Sequence, residues 1–248
     1  MTAMGKWVQW GVWVTVPLWL GFGAHAEVHQ WVVGHFSALP QEGRLPEGWQ
    51  PLEFEKIKEH TRYRHLVEEG RGVIEARSRA SSSGLIYKEE IDPHAWPVIS
   101  WSWKVDRVLA GGDATQKSGD DYPARLYISF AYDGDQVGFW EKMKFKTIKL
   151  FYGEYPPVNA LCYIWANRIP KGSFIASPYT ERLRMIAVES GAGHVGSWRH
   201  ESRNIVEDYQ RAFGAEPPAI AAIAIMTDTD NTGEMATSWY GDIILSRP

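Results

Sequence analysis

The chain has 248 residues, with 26 Lys and Arg against 30 Asp and Glu, a net charge of −4, and a single cysteine. Mixed charge with an acidic excess is poorly suited to neutralising phosphates, so nucleic acid is not an expected partner. One thiol can make no internal disulfide, and the fold must rest on its core.

At the N-terminus, Lys6 precedes an apolar stretch from Trp7 to Gly23, and Ala24-His25-Ala26 follows before the first acidic residue, Glu27. This is the pattern of a secretory leader with a small-x-small cleavage site. The competing reading, a retained membrane anchor, needs about 20 apolar residues. Gln9, Thr15 and Pro17 interrupt a stretch that barely reaches that length. Residues 1–26 are therefore expected to be removed, leaving one domain over 27–248 that is periplasmic or secreted and has no further membrane span.

Short runs rich in β-branched and aromatic residues then follow one another. Arg62–Glu68 and Gly72–Ser78 flank Glu69-Gly70-Arg71 and read as a hairpin. Ser81-Ser82-Ser83-Gly84 reads as a turn, and it lacks the G-x-S-x-G pattern of a nucleophile elbow. Leu85–Glu90 comes next, and Val98–Val105 shows the clearest alternation. Ile99, Trp101, Trp103 and Val105 share one face, while Ser100, Ser102 and Lys104 share the other. One face of that strand is expected to be dry.

Gly119-Asp120-Asp121-Tyr122-Pro123-Ala124-Arg125 leads into the strand-like run Ala124–Tyr132. Adjacent carboxylates beside an arginine can form an ion pair that fixes the loop, the simpler reading. They can also present an acid, a base and an anion or sugar clamp, which makes Asp120, Asp121 and Arg125 the catalytic candidates. Paired carboxylates of a glycosidase stand roughly 5 to 9.5 Å apart across a cleft. Sequence neighbours rarely supply that geometry, so a hydrolase needs a distant partner such as Asp208 or Asp228.

Trp140–Tyr152, with lysines at 142, 144, 146 and 149, stays open between a basic surface helix and an edge strand. Leu161–Ala166 is apolar on both faces and reads as a central strand, with Cys162 a buried, inert thiol. Arg184–Glu189 is a further strand, and Gly191–Gly196 reads as a flexible connection, since it lacks the phosphate-loop pattern. Arg203–Phe213 carries a helical apolar stripe, with Ser202 able to cap its start and Gly214 its end. Ala219–Thr227 and Thr237–Leu245 close the series. Many short strands without regularly interleaved helices predict an all-β, mainly antiparallel sandwich of jelly-roll type with one or two short helices.

Between the last two strands lies Asp228-Thr229-Asp230-Asn231-Thr232-Gly233-Glu234. Asp228, Asp230 and Gly233 fit the calcium-hand pattern, but Thr232 holds its fifth position and Trp239 its twelfth, where a bidentate Glu belongs. A calmodulin-type hand is excluded. A sandwich Ca2+ site using Asp228, Asp230, Asn231 and Glu234, or Asp242, remains beside the alternative of a plain turn. The histidines are scattered without zinc-ligand spacing. Among the tryptophans, Trp101, Trp103 and Trp165 read as core, whereas Trp96, Trp140, Trp198 and Trp239 have polar or small neighbours and are the candidates for a sugar-stacking rim.

Four phrases, Trp101–Val105, Gly119–Arg125, Cys162–Asn167 and Met226–Gly233, together resemble the bacterial domain-of-unknown-function family 3047. The resemblance runs from roughly Phe36 to the C-terminus. It implies an exported β-sandwich similar in outline to carbohydrate-binding modules, and it implies no reaction or catalytic residues. The expected role is binding of a glycan, a polysaccharide or cell-envelope glycan, or of another polar envelope ligand. A polysaccharide hydrolase or lyase on the same scaffold is the alternative, and a structural envelope protein without a ligand is the third reading.

Overall fold

The computed structural model describes residues 30–39, 43–132 and 159–247. The leader at 1–26, the lysine-rich segment at 140–152 and Trp140 lie outside the described residues. Thirteen strands are described: β1 (Gln30–Gly34), β2 (Trp49–Leu52), β3 (Arg62–Glu68), β4 (Arg71–Arg79), β5 (Ser82–Ile91), β6 (Val98–Val105), β7 (Arg125–Phe130), β8 (Ala160–Ala166), β9 (Phe174–Ala176), β10 (Leu183–Ser190), β11 (Arg199–Asn204), β12 (Ile220–Asp228) and β13 (Met235–Ser246). One α-helix, α1 (Ile205–Phe213), stands among them.

The strands form two sheets. The first runs β11-β6-β13-β4-β3, with β1 also paired to β13; the second runs β2-β5-β12-β7-β8-β10-β9. Only the β8–β10 pairing is parallel among the described strands. The product is a jelly-roll-like β-sandwich. Ile99, Trp101, Trp103 and Val105 do share the buried side, facing Leu161, Tyr163 and Trp165 of β8 across the gap. Trp101 meets Tyr163 at 5.1 Å between ring centroids and Trp103 meets Trp165 at 6.3 Å. β8 is central, between β7 and β10, and its other side packs Cys162, Ile164 and Ala166 into a second cluster with Met185 and Ala187. Burial pushes the Cys162 thiol up to about 12, in keeping with an inert side chain.

Local chemistry sets the turns. β3 and β4 join through Glu69 and Gly70, both at positive φ (52° and 78°), the geometry of a two-residue hairpin whose twist matches the strands. Three expectations need correction. Ser82, Ser83 and Gly84 belong to β5 rather than to a turn, because their backbone pairs with Met226–Asp228. The helix begins at Ile205 and is capped by Asn204, whose side chain accepts from the Val206 and Glu207 amides. Ser202, expected as the cap, lies in β11 and pairs with Ser100.

Candidate functional site

β12 ends at Asp228 beside the start of β7, where Met226 pairs with Arg125. This register brings together the two acidic segments that lie a hundred residues apart in the chain. Arg125 Nε donates to Asp228 Oδ1 at 2.8 Å, and its Nη2 donates to Asp228 Oδ2 and to the Asp120 carbonyl oxygen. Its Nη1 reaches Tyr127 Oη at 3.2 Å and lies 3.7 Å from Asp120 Oδ1, while the Tyr122 ring covers the guanidinium at 4.4 Å. Asp121 binds the facing loop: Oδ1 accepts from Asn231 Nδ2 at 3.0 Å and Oδ2 from the Thr232 amide at 2.6 Å. Asp120, Asp121, Arg125 and Asp228 thus converge. Asp208 does not join them, since it pairs with Tyr163 and Arg203 on the helix side.

The convergence is closed rather than open. Asp121 is 0% exposed and Arg125 2%, so no polymer approaches their polar atoms. Burial pushes the Asp228 carboxyl up to about 7 against the pull of Arg125, and burial also raises Asp120 and Asp230. Asp120 Oδ1 is buried with no hydrogen-bond donor among the described residues. Carboxylate oxygens of Asp121, Asp228 and Asp230 lie within 4.8 Å of one another, an all-oxygen set that could hold a hard cation. Of the other residues expected as ligands, Asn231 Oδ1 accepts from Tyr179 Oη at 3.0 Å, and Glu234 accepts from the Ala110 and Gly111 amides at 3.1 and 2.7 Å. Asp242 stands elsewhere, accepting from the Ser37 amide at 2.8 Å and its hydroxyl at 2.6 Å.

The candidate rim tryptophans divide. Trp96 packs edge-on against Trp31 at 5.8 Å, beneath Arg247. Trp198 and Trp239 meet on the outer face of the first sheet, on either side of Lys104, whose Nζ lies 5.4 and 4.7 Å from their ring centroids. Burial pulls the Lys104 ammonium down, but hydrogen bonds from it to Glu68 and Glu69, at 2.5 and 3.0 Å, hold it above its ordinary value. All three rings are half-buried.

Beside Trp198 the same face carries a cleft of about 260 Å³, lined by Ser37, Ser100, Ser102, His200, Gly241 and Asp242 among others. It opens where β13 leaves β4 and passes to β1, at a bulge between Tyr240 and Ile243. A Cβ at Gly241 would stand 2.2 Å from Ser102 Oγ, so a side chain there must displace that hydroxyl.

Residues 47–244 match the family described as "Protein of unknown function (DUF3047)". The chain belongs to DUF3047. No curated protein sequence matches it. Three solved structures are loosely similar to this DUF3047 chain. They are a CBM29-2 mutant complexed with mannohexaose (7% identity, 88% of this chain and 92% of that one, TM-score 0.38), the Emp47p carbohydrate recognition domain (11%, 87% and 94%, 0.44), and the family GH12 endoglucanase 3 of Trichoderma harzianum (9%, 90% and 100%, 0.39). No helix among the described residues is long and apolar enough to cross a membrane.

Two features of the DUF3047 chain escape a reading of its sequence. The cleft is built by residues of β4, β6, β11 and β13 that only the strand register brings together. Glu201 of β11, registered with Trp101, is the other: burial raises its carboxyl, and one of its oxygens finds no donor among the described residues.

Proposed function

We propose that this DUF3047 protein is an exported binder of glycans that takes its ligand along the outer face of the first sheet. The cleft beside Trp198 carries this reading: serine hydroxyls, a histidine and a carboxylate line a depression with an indole at its edge. Pyranose rings need that combination, an aromatic plane for the apolar face and short polar groups for the hydroxyls. The enzymatic alternative at Asp120, Asp121 and Arg125 has less support, because those groups are buried and committed to one another. We also propose Ca2+ as the cation that the Asp121, Asp228 and Asp230 oxygens would take, serving to hold the loop rather than the ligand.

A glycan array with the protein from residue 27 onward tests the binding reading. Trp198→Ala and His200→Ala are expected to weaken any hit tenfold or more, while Tyr179→Ala, an exposed ring outside the cleft, leaves it unchanged. Absence of binding to every glycan would overturn the proposal. Shortened or unsaturated products by mass spectrometry would transfer it to the enzymatic alternative.

A further inference from the structure

At the loop end of the same face, beyond the layer formed by Lys104 and its two tryptophans, lies a second and larger groove of about 550 Å³. Four arginines line it, Arg62, Arg77, Arg79 and Arg107, against the carboxylates of Glu59 and Asp106. In a chain with a net charge of −4, this is a local concentration of the opposite sign.

The register makes the concentration costly. Arg62 stands directly opposite Arg77 across β3 and β4, on the face that Arg77 shares with Arg79 two residues along. Like charges directly opposed on a sheet are destabilising. The available carboxylates offset little of this. Glu75 serves Arg64 and Arg77 together, and Asp106 serves Arg107 at 3.1 Å while accepting from the Thr237 amide at 2.8 Å. Arg62 and Arg79 are exposed and have no acidic partner among the described residues. Adjacent strands lie about 4.8 Å apart and residues two apart along a strand about 6.6 Å. The free guanidinium groups therefore offer charge at repeated short intervals, matched by a ligand with several anionic groups in series.

We infer that this groove binds the acidic groups of a polyanionic glycan, one bearing carboxylates on successive sugars. The inference rests on the glycan reading above and names the class of ligand: the arginine groove would take acidic sugars of a chain whose other sugars lie in the cleft beside Trp198.

The test titrates wild-type protein, the Arg62→Ala/Arg79→Ala variant and Trp198→Ala with a hexamer of galacturonic acid, and with a neutral xylose hexamer, by calorimetry at low and high salt. The acidic hexamer is expected to bind wild type more tightly, to lose affinity with salt, and to weaken at least tenfold in the double arginine variant. That variant should melt no lower than wild type, since it relieves repulsion. Equal affinity for both hexamers, or an unchanged titration in the arginine variant, overturns the inference while leaving the glycan reading in place. Loss of binding in the arginine variant with no effect of Trp198→Ala sustains the arginine groove and overturns the cleft. Binding to phosphatidylglycerol vesicles with none to the acidic hexamer overturns the inference in favour of a lipid surface.

Discussion

Asp228 sits where burial and ion pairing oppose each other. Burial moves its carboxyl up to about 7, and Asp120 and Asp230 are raised for the same first reason. A carboxyl that holds its proton more tightly in the folded chain than in the unfolded one gives stability at low pH, which is lost as pH rises through the folded value. Glu189 and Asp113, which are lowered, act in the opposite sense only below the ordinary carboxylate range. The melting temperature is therefore expected to be several degrees higher at pH 5 than at pH 8, with Asp228→Asn flattening the difference. A flat wild-type profile would count against the raised carboxyl. A cation among Asp121, Asp228 and Asp230 competes with those protons. Millimolar Ca2+ should then raise the melting temperature at pH 8 and do less at pH 5; identical melting with calcium and with chelator at both values would remove the calcium reading.

Among the elements, β13 matters most to the proposed site, because its bulge makes the cleft. Gly241→Ala sets a methyl 2.2 Å from Ser102 Oγ, which must turn out of its rotamer, a change expected to cost about 0.5–1.5 kcal/mol. Ser102→Ala removes the offending oxygen and leaves the Ser102 Cβ at 3.5 Å, ordinary contact. A denaturant double-mutant cycle should show the second change rescuing most of the first, and additive costs would dispose of the steric account. β6 was legible because packing on one face dictates an alternating period, and β12 because a strand buried on both faces reads as a continuous apolar run. β1, β2, β9 and β11 were not: they are short or polar, and β2, β9 and β11 hold sheet edges, with hydrogen bonds rather than side-chain burial defining them. Gly119–Arg125 and Asp228–Glu234 were each legible as polar strand-end motifs, with Asp208 and Asp228 as rival distant partners. Their meeting, their burial, and the arginine groove drawn from β3, β4 and the Asp106-Arg107 loop depended on register that no local pattern encodes.

On the scale of the molecule, the two sheets are joined through an aromatic seam. Trp101 and Trp103 of the first sheet reach Tyr163 and Trp165 of the second, and Trp103 and Trp165 are fully buried. Both proposed ligand grooves lie on the outer face of the sheet that carries this seam, so their shape depends on how firmly β6 is held from behind. Large aromatic-to-alanine changes in a core cost about 3–5 kcal/mol, because the transfer free energy and the cavity add. In a domain of this size each kcal/mol shifts the melting temperature by about 2–4 °C. Trp103→Ala is accordingly expected to lower it by roughly 6–20 °C and to weaken glycan binding without touching a ligand contact. Trp103→Phe, which keeps a ring against Trp165, should recover most of both losses. If Trp103→Ala melts within a degree of wild type, the seam is not what couples the sheets, and the outer face must owe its shape to the edge pairings of β11 and β3 instead.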